Sequence, residues 1–70
     1  MYRLQRRVIM PLVTVKAFEG RTIEQKRALV KHITEALVKD FKTEPEAVHV
    51  DIIEYSKDNV AVAGQLYIDR

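Results

Sequence analysis

Between Leu12 and Phe18 polar and apolar positions alternate: Leu12, Thr14, Lys16 and Phe18 fall on one side of an extended backbone, Val13, Val15 and Ala17 on the other. A period of two with β-branched residues is the pattern of a strand. Glu19-Gly20 supplies a turn. Thr22, followed three residues later by Gln25, forms a capping box, in which each side chain satisfies a backbone donor of a helix start. From there the period changes. Ile23, Leu29, Val30, Ile33, Ala36, Leu37 and Phe41 fall within an arc of about 140° at 100° per residue, a little wider than the usual core-facing stripe. Lys26 and Asp40 interrupt that arc near its ends, and Glu24, Arg27, Lys31, Glu35 and Lys39 line the opposite face. The helix ends before Pro45, because the residue preceding a proline avoids the helical region, and 42–44 reads as a loop. Val48, Val50 and Ile52 then alternate with His49, Asp51 and Ile53 in a second strand that runs to Tyr55. Ser56-Lys57-Asp58-Asn59 is turn chemistry, 60–64 a brief strand or hairpin edge, and Leu66-Tyr67-Ile68 a further extended piece.

Strand, helix, strand is a crossover unit, so the two strands are predicted to be parallel with a right-handed connection. The fold class is α+β: a β-α-β unit with a short C-terminal hairpin. One helix covers one face of a two-stranded sheet and leaves the other face and both edges bare. Length sharpens the point, since 70 residues make one domain, and below roughly 70 to 80 residues a lone core seldom supplies more than a few kcal/mol. With no Cys and only two His, disulfides are excluded and a structural metal is not expected, which leaves completion by self-association. At 47% hydrophobic and 31% charged residues the chain has the composition of a folded domain, not of a disordered segment.

Charge changes the picture only at the start. The chain carries 12 basic and 10 acidic residues, a formal charge of +2, which invites a nucleic-acid reading. Three of those bases are Arg3, Arg6 and Arg7; without them 9 basic residues face 10 acidic ones and the side-chain charge is −1. Residues 1–10 are read as an extension or initiator region and 11–70 as the single domain. If Arg6 and Arg7 are encoded AGG-AGG, they read as a bacterial ribosome-binding site two codons ahead of an ATG for Met10. Val8-Ile9-Met10 meets Pro11 too soon for a signal peptide, and no window approaches the roughly 18 apolar residues of a membrane span. A soluble, cytoplasmic protein is expected. Tyr2, Tyr55 and Tyr67 do not form a base-stacking series, and Gly20 and Gly64 do not make a phosphate loop. His32 and His49 do not define a metal site. Asp51 and Glu54 are read as solvated or inter-subunit partners rather than an acid/base pair.

Four segments in order carry a family resemblance: Pro11-Leu12-Val13-Thr14-Val15-Lys16, Glu19-Gly20-Arg21-Thr22, Glu24-Gln25-Lys26-Arg27-Ala28-Leu29-Val30, and Val48-His49-Val50-Asp51-Ile52-Ile53-Glu54. Together they resemble the 4-oxalocrotonate tautomerase family in its small, 2-hydroxymuconate tautomerase-like form, from Met10 to about Asp69. The resemblance implies a cofactor-independent isomerase, without metal, that interconverts enol and keto forms of a small unsaturated 2-hydroxy or 2-oxo carboxylate in aromatic compound degradation. It also implies a homohexamer, a trimer of dimers.

The chemistry so implied rests on an N-terminal proline. A secondary amine acts as general base when its pKa lies near neutrality, and apolar burial or nearby cations lower an α-amino group from its ordinary value of about 7.7 to 8.0. Inside a chain the proline nitrogen is an amide with no basicity. Pro11 as base therefore requires a mature chain that begins there, after initiation at Met10 and loss of that methionine. Arg21, beside a helix N-terminus, is the implied anion binder for the substrate carboxylate or the developing dienolate. His49 stands where the family carries a second arginine; it donates a hydrogen bond but lacks the fixed charge. Val60 stands where the family places an aromatic wall, and Ala63 where it often has glycine. Pro11 and Arg21 are expected to share a pocket, with His49 and Val60 supplied by a neighbouring subunit. Two other readings fit the same residues: a sister activity, hydration or dehalogenation of an unsaturated acid, and a non-catalytic oligomeric module whose basic arm binds an anionic partner.

Overall fold

The computed structural model describes residues 10–70; the expected extension lies outside them except for Met10. Strand β1 (Leu12–Phe18) leads into helix α1 (Ile23–Phe41) and returns in β2 (His49–Tyr55). β1 and β2 pair in parallel along their whole length, from Leu12 opposite His49 to Phe18 opposite Tyr55. A two-stranded antiparallel hairpin follows, β3 (Ala61–Val62) and β4 (Gln65–Leu66). The expected β-α-β unit with a C-terminal hairpin is the observed one.

The capping box forms as read: Gln25 N donates to Thr22 Oγ1 at 3.1 Å and Thr22 N donates to Gln25 Oε1 at 2.9 Å. At its other end α1 closes on Lys42, which is left-handed at φ 58°. Pro45 opens a short 3-10 turn, Pro45–Ala47, as its fixed φ favours, and β2 begins at His49 rather than Val48. The tail departs from expectation: only Leu66 pairs in a strand, while Tyr67–Asp69 coils into a 3-10 turn. That turn is anchored by Tyr67, whose amide donates to Val60 O at 2.9 Å and whose ring packs on Phe18 with centroids 5.0 Å apart. An aromatic contact across the sheet end outweighs the weak strand preference of three residues.

The β3–β4 loop is Ala63-Gly64, with φ of 53° and 79°, both in the region a two-residue hairpin turn demands. Alanine pays for this conformation with steric strain that glycine avoids. Ala63→Gly is expected to raise thermal stability by about 0.5 to 1 kcal/mol, measured by melting. A lower melting temperature would contradict the strain.

Val13, Val15 and Ala17 of β1 and Val50, Ile52 and Glu54 of β2 share the helix-facing side, and Val15, Ala17, Ile52 and Glu54 form a cavity wall with Gln25, Lys26 and Leu29. The opposite face, with Leu12, Thr14, Lys16, His49, Asp51 and Ile53, is open, and Leu12 is 78% exposed. Of the apolar helical arc, Val30, Ile33 and Leu37 are half-buried, whereas Ile23, Leu29, Ala36 and Phe41 are exposed. Geometry accounts for this. Nineteen helical residues span about 28 Å against about 23 Å for a seven-residue strand, so Ile23 and Phe41 overhang. The helix also lies over β2 more than β1, leaving the Leu29 and Ala36 flank without cover. Among the described residues none is fully buried. Among the same residues no helix is long and apolar enough to cross a membrane.

Candidate active site

Pro11 stands immediately before β1, half-buried, on the side of Val13 and Val15 by alternation. Its carbonyl accepts from His49 N at 3.0 Å, the first rung of the parallel ladder, so the backbone there is held. The His49 side chain belongs to the open face, with Leu12 opposite and Asp51 two residues on; Asp51 Oδ1 accepts from Thr14 Oγ1 at 2.8 Å. His49 thus meets Pro11 through main chain, within one chain.

Arg21 sits at the far end. It follows Gly20, whose φ of 123° turns the chain out of β1, and precedes the N-cap Thr22. Its side chain is exposed at a cavity of about 210 Å³ lined by Val15, Ala17, Gln25, Lys26, Leu29, Ile52 and Glu54. The capping box occupies the amides of Thr22 and Gln25, and Lys26 N donates to Thr22 O, so Ile23 and Glu24 hold the untaken amides of the first turn. A guanidinium and free helix amides on an apolar floor suit a carboxylate. Val60 is at this end as well, half-buried beside Lys16, Ala17, Phe18 and Tyr55 around a second cavity of about 340 Å³.

Within one chain the expected site residues fall into two groups. Pro11 and Arg21 are separated by the whole of β1, roughly 20 Å, and cannot act on one small molecule within a single chain. Pro11 and His49, joined through main chain, lie at one end of the sheet, and Arg21 and Val60 line two separate cavities at the other. Parallel strands dictate this, because both begin at the same end and every β-to-α connection lies at the opposite one.

Two further charges meet at the Arg21 end. Lys26 Nζ lies 2.7 Å from Glu54 Oε1, each side chain 28% exposed. Within the chain Glu54 thus pairs with Lys26, and Asp51 accepts from Thr14 Oγ1, both at partly or fully exposed positions. The signal was a pair of faults in pattern: a lysine inside the apolar arc and an acid on the inward face of β2. Among the described residues no three His, Asp or Glu side chains come together.

Similarity to known proteins agrees with this architecture. A family model described as tautomerase enzyme matches residues 11–70. A probable tautomerase of Halalkalibacterium halodurans is 49% identical over 61 residues, 87% of this chain and 100% of the relative. The 2-hydroxymuconate tautomerase of Bacillus subtilis is 50% identical over 60 residues, 86% of this chain and 97% of that protein. The crystal structure of YwhB, a homologue of 4-oxalocrotonate tautomerase, matches with a TM-score of 0.80 at 48% identity, over 86% of this chain and 98% of that one. A 4-oxalocrotonate tautomerase isozyme from Methylibium petroleiphilum matches with a TM-score of 0.78 at 40% identity, over 86% and 94% of the two chains. Sequence match and parallel β-α-β core coincide from Pro11 to the C-terminal turn, and the chain belongs to the tautomerase family of isomerases.

Proposed function

We propose that this chain is a cofactor-independent keto–enol tautomerase of a small unsaturated 2-hydroxy or 2-oxo carboxylate, of the 2-hydroxymuconate type, working in the cytoplasm as a homohexamer. Pro11 is the first residue of the working chain and the general base. The observation that carries this reading is the coincidence of two boundaries: the family match begins at residue 11, and that residue is a half-buried proline held at the mouth of the sheet. A relative matched over 100% of its own length by 61 residues supports the same start.

In this reaction the proline amine takes the proton of the 2-hydroxyl, the oxygen electrons form the 2-oxo group, and the conjugated double bonds shift. The ammonium then returns the proton to a distant carbon, so nothing is gained or lost overall. Arg21 binds the carboxylate and offsets the negative charge that develops on the dienolate. Val60 walls the pocket with less area than an aromatic ring would, and His49 offers a hydrogen bond at the Pro11 end.

The division of these residues between two ends of the sheet requires two copies. Among the described residues β1 has one free edge, since β2 occupies the other. Two copies joined edge to edge through antiparallel β1 strands keep both helices on one side of a four-stranded sheet. Pro11 of one copy then stands beside the Arg21 end of the other, on the helix-covered face both share. The same pairing brings together the exposed Leu29 and Ala36 flanks. Three such dimers would cover the open faces, on which Leu12 and Ile53 are exposed.

The test is intact-mass measurement of protein made from the natural gene in its own host. A species that begins at Pro11 and ketonises 2-hydroxymuconate is expected. A preparation that retains residues 1–10 and is equally active would exclude Pro11 as base.

A further inference from the structure

The Lys26–Glu54 ion pair joins α1 to β2 in the wall of the Arg21 cavity. Both stand at positions that pattern reserves for apolar residues, the lysine in the helical arc and the acid after Val50 and Ile52 on the inward face of β2. A half-buried pair of this kind contributes little net stability, because desolvation offsets most of the attraction. What it does change is the charge that a ligand meets. The cavity walls carry Arg21, Lys26 and Glu54, and the Gln25 amide oxygen is already engaged by Thr22 N. With Lys26 Nζ held 2.7 Å from Glu54 Oε1, Arg21 is left as the cation of this cavity that makes no ion pair with a described residue.

Accordingly, we propose that Glu54 is a specificity-determining residue: by neutralising Lys26 it sets the cavity at a single net positive charge and so selects a ligand end that bears one carboxylate over an end that bears two negative charges. The proposal rests on the reading of the Arg21 cavity as the carboxylate site. A volume of about 210 Å³ admits a carboxylate with its adjoining carbons, and a second anionic group in the same space lies close to Glu54 as well as to Arg21. Its attraction to the arginine is then offset by repulsion from the acid. In this arrangement Lys26 is a counter-ion and not a binding group; its role is to make Glu54 tolerable beside the ligand while leaving the cavity short of a second free cation.

The experiment uses two unreactive probes, crotonate with one carboxylate and malonate with two at one end, titrated into the assembled protein and followed through the NMR signals of the Arg21, Ile23 and Glu24 amides. Glu54→Gln keeps the side-chain shape and a hydrogen-bond acceptor for Lys26 but raises the cavity charge by one. It is expected to tighten malonate about tenfold and crotonate about threefold, more so at low salt. Lys26→Gln lowers the charge by one and is expected to weaken both probes. The double variant Lys26→Gln, Glu54→Gln restores a single positive charge without the bridge, and the wild-type preference for crotonate should return. That recovery separates charge from architecture, because a purely structural bridge would leave the double variant as impaired as either single one. An unchanged preference in Glu54→Gln, or a double variant that does not recover, would overturn the proposal. If Arg21→Gln leaves crotonate binding untouched, the carboxylate site itself is lost and this proposal with it. If Arg21 matters and Glu54 does not, only the role of Glu54 fails.

Discussion

Replacing Pro11 with alanine in a chain that begins at that position is expected to lower kcat for ketonisation of 2-hydroxymuconate by about a hundredfold or more, the usual contribution of a placed general base. The variant still ends in an amine, but a primary one whose basicity and direction are no longer set by the pyrrolidine ring. KM should change little, because Arg21 and the helix amides remain. The assembly should also persist: residue 11 contributes to the sheet through its carbonyl, which accepts from His49 N at 3.0 Å, and alanine keeps that carbonyl. Stopped-flow rates and the mass of the assembly in solution check both halves. Undiminished kcat would remove Pro11 from the chemistry, and the family membership would stand without it.

The second large effect concerns Arg21. Arg21→Ala alone is expected to cost about a hundredfold in kcat/KM, in the range found when a donor to a developing oxyanion is removed. Its more informative use is in mixture. If Pro11 and Arg21 of one site come from two copies, unfolding and refolding Pro11→Ala together with Arg21→Ala will create sites in which an intact Pro11 faces an intact Arg21. Random pairing of equal amounts makes about a quarter of all sites whole, and activity should rise to roughly that fraction of the wild type from two nearly inactive parents. Were both residues used from the same chain, no mixture would recover. The roughly 20 Å of β1 between them is the reason to expect recovery.

Much of the local structure can be read without coordinates, because it depends on neighbours in sequence. The Thr22–Gln25 capping box needs only a spacing of three residues, and it is present with both bonds made. The parallel pairing of β1 and β2 follows from a long helical crossover between them, and the register runs unbroken from Leu12–His49 to Phe18–Tyr55. Pro11, Arg21, His49 and Val60 are candidates through the family resemblance. Where that reading went astray, the cause was distance in space. The tail coils because Tyr67 finds Phe18, a partner far away in sequence. Glu54 is paired because α1 brings Lys26 over β2, which no spacing along either element announces.

The order of residues therefore determined the elements, their caps and their parallel pairing, since each follows from periodicities of two and 3.6 or from contacts a few positions apart. Tertiary structure alone decided how the candidate site residues divide. It set Pro11 and His49 at one end of the sheet, Arg21 and Val60 at the other, and the Lys26–Glu54 pair in the wall between helix and strand. The physical reason is the fixed rise of a strand. Seven extended residues place Pro11 and Arg21 farther apart than a small carboxylate can reach, which is why the proposed site takes them from two copies.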